Sequence, residues 1–290
     1  MDIRILNYFL TAAREKNITR ASEILHISQP SLSKQLIDLE NELGKKLFIR
    51  GKRRITLTEE GLILYKRAEE IIELVRKTEE EVSSGNEKIS GELSIGGGTG
   101  TDFIIKKAEY FIRKYPDVYY QLFSSGAEEV MEKLDNGTLD FGILIEPVDI
   151  LKYEYISFPT KNYWGILMRR DDILAEKLEI LPEDIKKIPL IIPKRVGLQR
   201  ELSRWLSQDI FNFNIVATYN IIYSSPSIFV KNRLGYGIAI SNLIDFEENS
   251  SLCFKHFSPK MEVQFCIAWK RNRILSKAAE KFIEILKENK

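Results

Sequence analysis

The order of apolar and polar positions predicts three regions along this chain. Residues 1–58 show short helical patterns followed by a small strand, and residues 59–90 show one long helical pattern that ends in a linker. From residue 91 onward, apolar strands alternate with amphipathic helices. Repeated strand–helix–strand units predict a mostly parallel sheet with helices on both faces, here as two similar α/β lobes within 91–290. The predicted fold class is therefore mixed, with a helical head, a long helix and a two-lobed α/β domain.

Two short helices separated by a tight turn are predicted between residues 18 and 36. Thr19 can cap the first helix and Ser28 the second, and Pro30 is tolerated in the first turn of the second helix. Ala21 is small enough for the two helices to cross closely. This spacing is typical of a helix-turn-helix.

The second of these helices separates an apolar face from a polar one. Leu32, Leu36, Leu39 and Leu43 fall on one side at helical spacing. The other sides carry short polar residues, which on most helices only contact solvent. A basic cluster follows the helix, where a wing hairpin would reach the DNA backbone, and it favours DNA binding. Gln can pair with adenine edges, and Ser and Lys can contact phosphates or bases. The residues predicted to contact DNA are Thr19, Ser28, Gln29, Pro30, Ser31, Ser33, Lys34, Arg50, Lys52, Arg53 and Arg54.

The long helix carries an apolar stripe that has two explanations. One helical face at three-four spacing comprises Tyr65, Ala68, Ile72, Val75, Glu79 and Val82, and it is widened by Leu64, Ile71 and Thr78. This face could pack on the helix's own domain, or it could form a coiled-coil-like dimer seam. The seam is the favoured hypothesis, because a long helix between two domains has little core of its own to cover.

The net charge of the chain does not by itself indicate a nucleic-acid partner. The chain has 43 basic and 42 acidic residues, a formal net charge of +1, so DNA binding must come from a local basic patch. Cys253 and Cys266 cannot form a disulfide scaffold in a chain of this size. No secretory signal is recognised, and the longest apolar runs are far shorter than the roughly 20 residues that span a membrane. We therefore expect a cytoplasmic protein that does not associate with membranes.

A further pattern extends over the whole head and continues loosely beyond it. The residues that carry it in the head are Tyr8, Phe9, Thr19, Ala21, Leu25, Ser28, Gln29, Pro30, Ser33, Leu39, Glu40, Leu43, Gly44, Leu47, Phe48, Arg50, Arg53, Leu57, Thr58 and Gly61. Beyond the head it includes the segments 91–96, 115–118 and 137–143. In order and spacing this pattern resembles the LysR-type transcriptional regulators. Ser22 stands where the family often has a second alanine, and serine is nearly as small.

The resemblance implies a division into three parts. These are a winged helix-turn-helix over 1–58, a dimerising linker helix and hinge over 59–90, and an effector domain over 91–290 that resembles periplasmic binding proteins. The terminal helix would return to the first lobe, so lobe I would comprise 91–161 with 266–290, and lobe II 162–265. The resemblance also implies double-stranded DNA as partner, a homodimer through the linker helix, a homotetramer, and RNA polymerase as a candidate partner.

An effector cleft is expected where the strands of the two lobes end. Ligands of open α/β sheets bind beyond the carboxyl ends of the strands and at helix N-termini. Hydroxyl groups and free backbone N–H groups there suit a small anionic or polar effector, although Thr101 and Ser125 could equally be helix caps. For Lys194 and Arg195 the alternative is that they lie in a solvated loop and bind no effector. The candidate effector-binding residues are Gly98, Thr99, Gly100, Thr101, Ser124, Ser125, Glu146, Lys194, Arg195, Ser224 and Ser225.

Other chemistries fit the sequence less well. The glycines of 96–100 follow a strand, but their spacing differs from a dinucleotide loop and the next strand lacks the acidic residue that would hold a ribose. The histidines, His26 in the head and His256 in a loop-like segment, form no triad or zinc pattern with the two cysteines. A thiol switch would require the two cysteines to meet. We assign no catalytic residue, metal or cofactor, and the alternative to a ligand-responsive regulator is a solute-binding module or enzyme on the same lobes.

Overall fold

The chain folds into two compact units, Met1–Lys88 and Ile89–Lys290. The computed structural model describes residues 1–51, 54–83, 89–97, 102–220, 225–241 and 251–288. Within these ranges, no helix combines the length and apolar character needed to cross a bilayer. The two units are described separately.

The first unit contains four helices and a two-stranded hairpin. The first three helices each have a side-chain N-cap. Their N-cap residues, Asp2, Asn17 and Ser28, accept hydrogen bonds from backbone N–H groups of the following turn. The elements are α1 (Ile3–Glu15), α2 (Ile18–Ile24), α3 (Gln29–Leu43), β1 (Phe48–Arg50), β2 (Ile55–Leu57) and α4 (Glu59–Ser83). Strands β1 and β2 pair antiparallel and form the wing.

Two details of the head differ from the sequence prediction. Asn17, not Thr19, caps α2, because the chain leaves α1 through Lys16 in the left-handed conformation and the helix restarts earlier than predicted. Leu32, Leu36 and Leu39 are buried as predicted, but Leu43 is 41 % exposed. The helix ends immediately afterwards at Gly44, so its last turn extends beyond the core.

The second unit contains nine strands and five α-helices among the residues that the structure describes. The strands are β3 (Gly91–Gly96), β4 (Val118–Phe123), β5 (Phe141–Ile145), β6 (Tyr153–Arg169), β7 (Leu190–Pro193), β8 (Ile215–Tyr219), β9 (Tyr236–Ile240), β10 (Leu252–His256) and β11 (Glu262–Lys270). The helices are α5 (Asp102–Lys114), α6 (Ala127–Asn136), α7 (Val196–Leu206), α8 (Ser225–Lys231) and α9 (Lys277–Lys287).

The sheet of the second unit is mixed, and the prediction of a mostly parallel sheet was wrong. The strand order is β4-β3-β5-β11-β6-β9-β7-β8, with β10 also paired to β6. The pairs of β3 with β4 and β5, and of β7 with β8 and β9, are parallel, as βαβ units require. The two long strands β6 and β11 run antiparallel to their neighbours and join the two parallel sets. His256 lies on β10, not in a loop.

The terminal helix α9 packs on the first parallel set, which agrees with the expectation drawn from the family resemblance. The Phe282 ring lies 5.3 Å from the Phe111 ring and 5.4 Å from the Phe141 ring, measured between ring centroids. Lys107 on α5 donates a hydrogen bond to the Ile285 carbonyl near the end of α9. The last helix therefore completes the core formed by the first strands of the unit.

Candidate DNA-binding surface and effector cleft

The turn between α2 and α3 is fixed by local hydrogen bonds. The N–H of Ile27 donates to the carbonyl of Ser22, and the buried hydroxyl of Ser22 donates to the carbonyl of Thr19. Ser28 accepts from the N–H of Ser31 and begins α3, as predicted. Ala21 is fully buried, which allows the close approach expected of two crossing helices. This is the geometry of a helix-turn-helix.

The first turn of α3 presents polar side chains to solvent. Gln29, Ser31 and Lys34 are exposed, as is Thr19 on the neighbouring helix, whereas Ser33 is half-buried. Within the described ranges, the side chains of Gln29 and Lys34 make no hydrogen bond or ion pair. These groups stand on the outer side of the helix whose inner leucines fill the head core, so they are available to a partner without disturbing the fold.

The wing is anchored by a buried carboxylate that the sequence prediction missed as a structural group. Glu40 is 3 % exposed. Its Oε1 accepts from the N–H groups of Leu47 and Phe48 at 2.9 and 3.2 Å, and its Oε2 from the Lys46 ammonium at 2.9 Å. Burial alone would raise the pKa of Glu40, but these hydrogen bonds outweigh it and the pKa is lowered. The carboxylate therefore stays charged and holds the start of the wing.

A second set of contacts ties the wing to α4. The hydroxyl of Thr58 donates to the Lys46 carbonyl at 2.7 Å and accepts from the N–H of Gly61 at 2.9 Å. A β-carbon on Gly61 would lie 2.2 Å from the Leu47 carbonyl oxygen. The absence of a side chain at this position lets α4 start directly against the wing.

The basic residues of the wing are only partly described. Arg50 and Arg54 are exposed on the two sides of the hairpin turn. The N–H of Gly51 donates a hydrogen bond to the Arg54 carbonyl across this turn. Lys52 and Arg53 lie outside the described residues. The N–H of Ile55 donates to the Lys16 carbonyl, which fixes the wing against the segment between α1 and α2.

The first part of the stripe that the sequence favoured as a dimer seam packs on the head. Ala68 is fully buried in the head core, and Tyr65 and Ile72 pack against it. A different face of α4 is apolar and exposed, with Ile63 at 66 % and Leu74 at 44 %. Packing on the helix's own domain therefore explains Tyr65, Ala68 and Ile72, whereas Val82 at the far end of the predicted stripe is 82 % exposed. The dimer seam stays a prediction, and the exposed face is the one available to a second chain.

The carboxyl ends of the two parallel strand sets face each other. Gly126 follows β4, and a β-carbon on it would lie 3.5 Å from the carbonyl oxygen of Asn220, which follows β8. The strand ends of the two sets therefore border a common cleft. Asn220 was not among the predicted residues, although its position directly after β8 follows the same rule. Gly98, Thr99, Gly100, Thr101 and Ser224 lie outside the described residues, and Ser225 begins α8.

The two serines after β4 have different surroundings. Ser124 is exposed, and the hydroxyl of half-buried Ser125 donates to the carboxylate of Glu129 one helical turn further on. Gly126 is the N-cap residue of α6 and no side chain caps that helix. Ser125 is therefore not a helix cap, and its hydroxyl proton is directed to Glu129 on α6.

The charged candidates lie at the ends of β5 and β7. Glu146 is half-buried, and its N–H donates to the carbonyl of Gln264 on β11 at 2.9 Å. Lys194 is exposed, and its N–H donates to the Tyr219 carbonyl at 2.7 Å. Arg195 is half-buried and is the N-cap residue of α7. These main-chain hydrogen bonds fix the backbone at Glu146 and Lys194, from which the charged side chains extend.

The two cysteines do not meet. Cys253 lies opposite Met168 and Cys266 opposite Ser157 on the same strand β6. Eleven residues of extended chain correspond to roughly 36 Å. Burial is the main cause that raises the pKa of the Cys266 thiol to about 12, and burial also raises the pKa of Cys253. A thiol switch between them is therefore excluded in this fold.

Two further features lie apart from the candidate sites. A groove of about 540 Å³ lies between the start of β6, the end of β11 and the end of α9, with Tyr155, Trp269 and Leu286 among its walls. It is at the opposite end of the sheet from the cleft. Among the described residues, no three His, Cys, Asp or Glu side chains are grouped as metal ligands would be.

A winged helix-turn-helix followed by a two-lobed α/β domain defines a class of DNA-binding transcriptional regulators. Residues 3–62 match the family described as bacterial regulatory helix-turn-helix protein, lysR family, and residues 86–290 match the LysR substrate binding domain. The chain belongs to the LysR family and is a DNA-binding transcriptional regulator with an effector-binding domain.

Relatives and solved structures agree with this assignment. The chain is 32 % identical over 211 residues to the nitrogen assimilation regulatory protein nac of Escherichia coli (strain K12), covering 69 % of each protein. It is 26 % identical over 291 residues to YfeR, an uncharacterized HTH-type transcriptional regulator of Shigella flexneri, covering 99 % of this chain and 93 % of YfeR. Its fold resembles CbnR, a LysR family transcriptional regulator, with a TM-score of 0.75 at 18 % identity over 99 % of this chain and 98 % of CbnR.

Proposed function

We propose that α3 enters the major groove of DNA and that its first turn reads the operator. The observation that carries this proposal is the exposure of Gln29 and Lys34, without partners among the described residues, at the start of a helix whose opposite face is anchored in the head core. The N-terminal end of a helix also favours phosphate. Arg50 and Arg54 on the wing contact the backbone beside the groove, and the sequence predicts the same role for Lys52 and Arg53. A structure of full-length CbnR complexed with its target DNA, similar to this chain at a TM-score of 0.74, supports DNA binding by this fold.

A footprint on the DNA upstream of the protein's own gene tests the proposal. Gln29→Ala removes an amide that can make two hydrogen bonds to adenine, so specific binding weakens by about 1–3 kcal/mol while non-specific binding is kept. Gln35→Ala is the matched control, because it removes the same amide from another side of α3. An unchanged ratio of specific to non-specific affinity in Gln29→Ala would remove that residue from base recognition.

We infer that a small-molecule effector binds in the cleft between the lobes. Ser124, Glu146, Lys194 and Arg195 follow the strands that end there, and the sequence also predicts residues 98–101, Ser224 and Ser225 as effector-binding candidates. The effector controls DNA binding only if it prefers one lobe arrangement over another. Repeating the footprint with a panel of small polar compounds identifies the effector class through a change in the extent of protection.

The assembly we propose is a homodimer through α4 and a homotetramer of two such dimers. The exposed face of α4 supports the first contact. Tyr119 and Leu122 on β4 and Val216 on β8, all exposed, lie on the two edge strands of the sheet and support further contacts between copies. The proposed division of labour is 1–58 for DNA, 59–90 for dimerisation and 91–290 for the effector.

We assign the protein no catalytic step. His26 lies exposed in the turn of the head and His256 lies on β10, so neither histidine belongs to the cleft. Because a regulator of transcription acts on the chromosome, we propose a cytoplasmic location and RNA polymerase as a candidate partner. A pull-down of RNA polymerase by the operator-bound protein tests that contact.

A further inference from the structure

A carboxylate oxygen at the carboxyl end of β5 has no partner among the described residues. Oε1 of Glu146 is buried, and no group in the described part of the chain donates a hydrogen bond to it. The hydrogen bond from its own N–H to Gln264 fixes the backbone at this point. Leaving a buried polar acceptor unpaired costs about 1–3 kcal/mol, and more when it is charged. The position therefore favours a donor brought by a ligand.

An arginine follows the strand that ends on the other side of the cleft. Arg195 links β7 to α7 and is half-buried. Within the described ranges, Arg195 forms no ion pair. Glu146 raises and Arg195 lowers the pKa of the Cys266 thiol, although burial affects that pKa most. Both charges therefore act on one buried point of β11, a strand that pairs with β5.

This pair of opposite charges restricts what the cleft accepts. A ligand with only negative groups is attracted by Arg195 but brings a second negative charge toward Glu146. A ligand with only positive groups meets the reverse situation. A molecule that carries one cationic donor and one carboxylate satisfies both side chains, and charge-assisted hydrogen bonds are the stronger kind.

Resting on the proposed effector function, we propose that the effector is a zwitterion of the α-amino acid type. Its ammonium group donates to Glu146 and its carboxylate accepts from Arg195. Glu146 extends from the lobe built on β3–β5 and Arg195 from the lobe built on β7–β9. A ligand that bridges the two therefore favours the arrangement in which the lobes are close, which is the differential affinity that control requires.

The test uses the full-length protein and a defined panel of ligands. Each of the twenty L-amino acids is first tested for its effect on thermal unfolding, and the most stabilising one is then titrated calorimetrically. Its 2-hydroxy acid, which lacks the ammonium, and its amide, which lacks the carboxylate, are titrated beside it. We expect either change to raise Kd by about tenfold or more, because each removes a charge-assisted hydrogen bond.

Two variants assign each charge to its partner. In Glu146→Gln the amino acid loses its advantage over the 2-hydroxy acid, and in Arg195→Gln it loses its advantage over the amide. Glu128→Gln and Arg200→Gln are matched controls, because both side chains are exposed on the helices that flank the cleft, and they keep both advantages.

Several results would overturn the proposal. These are the absence of stabilisation by any of the twenty amino acids, equal binding of the amino acid and its 2-hydroxy acid, or retention of both advantages in Glu146→Gln and Arg195→Gln. Each of these leaves the footprint on DNA intact and so leaves the regulatory function standing. Loss of the footprint at low salt would count against the regulatory function instead.

Discussion

At the scale of single residues, Glu40 stabilises the wing through contacts that no local pattern reveals. Replacing it with Ala leaves the N–H groups of Leu47 and Phe48 without their acceptor in a buried place. Leaving a buried N–H group unpaired costs about 1–3 kcal/mol, whereas Lys46, the third partner, is exposed and loses little. Glu40→Gln keeps one acceptor oxygen and should cost less. Hydrogen exchange of the Leu47 and Phe48 amides measures both effects, and equal protection in Glu40→Ala and the parent would contradict this role.

The same residue predicts a pH dependence of the head. The pKa of Glu40 is lowered from its ordinary value of 4.5 in the folded state. The stabilisation is therefore fully present above about pH 4.5 and is lost as the pH falls through the lower folded-state pKa. Protection of the wing amides should fall in this acidic range. The profile should be flatter in Glu40→Gln, and profiles of the same shape in both proteins would show that another group is responsible.

Gly61→Ala is predicted to destabilise the head, although the same change stabilises an ordinary helix. In an ordinary helix, Gly→Ala stabilises by up to about 1 kcal/mol. At position 61 the new β-carbon would meet the Leu47 carbonyl oxygen at 2.2 Å, so the wing must shift and the head loses about 1–3 kcal/mol instead. Gly197→Ala in α7 is the control, because nothing lies within 4 Å of its β-carbon position. Calorimetric melting should show opposite shifts, and stabilisation by both changes would exclude the close contact.

Residue roles were predictable where they depend on neighbours in sequence. Ser28 as a helix cap and the buried face of Leu32, Leu36 and Leu39 follow from spacing alone, and the structure has both. Thr19 and Asn17 can both cap a helix, and the choice between them depends on how the chain leaves α1. The role of Glu40 depends on a wing that folds back seven residues later, so composition and periodicity could not show it.

At the scale of elements, α4 shows that an apolar stripe indicates burial but not what buries it. The stripe of Ala68 and Ile72 covers the head. Ile63, Ile71 and Leu74 lie within about 80° of one another around the helix axis, at roughly 100° per residue. Their side chains are exposed. We expect this second stripe to form the contact between two chains.

Charged substitutions distinguish the two stripes. Ile63→Asp with Leu74→Asp places two charges in the proposed seam and should shift the dimer toward monomer by at least about tenfold in Kd, since burying an unpaired charge is costly. Leu62→Asp is the control, because Leu62 is also exposed but points away from that stripe. Sedimentation equilibrium measures the result, and a dimer of unchanged stability would place the contact elsewhere.

The strands show the same limit of local patterns. Most predicted strands are present, because short apolar runs bounded by turns are a local signal. The seventeen residues of β6 and the whole of β10 were not predicted at their true extent. They are stabilised by antiparallel partners far away in sequence, and several of their residues are polar and exposed. Strand ends predict where an effector cleft would lie, but they do not predict that an oxygen of Glu146 is unpaired among the described residues.

At the scale of the whole molecule, a net charge of +1 means that the protein's overall field does not attract DNA. Binding must come from local contacts, and the slope of log K against log salt concentration should report them. Arg50→Gln with Arg54→Gln should weaken binding to every DNA sequence and reduce the slope by about 0.9 for each phosphate that these arginines no longer neutralise. Lys186→Gln with Lys187→Gln changes the net charge equally, but both side chains lie exposed in the second unit. Fluorescence anisotropy over a salt series should show a changed slope in the first protein only. Equal changes in both would mean that net charge, not the wing, sets the affinity for DNA.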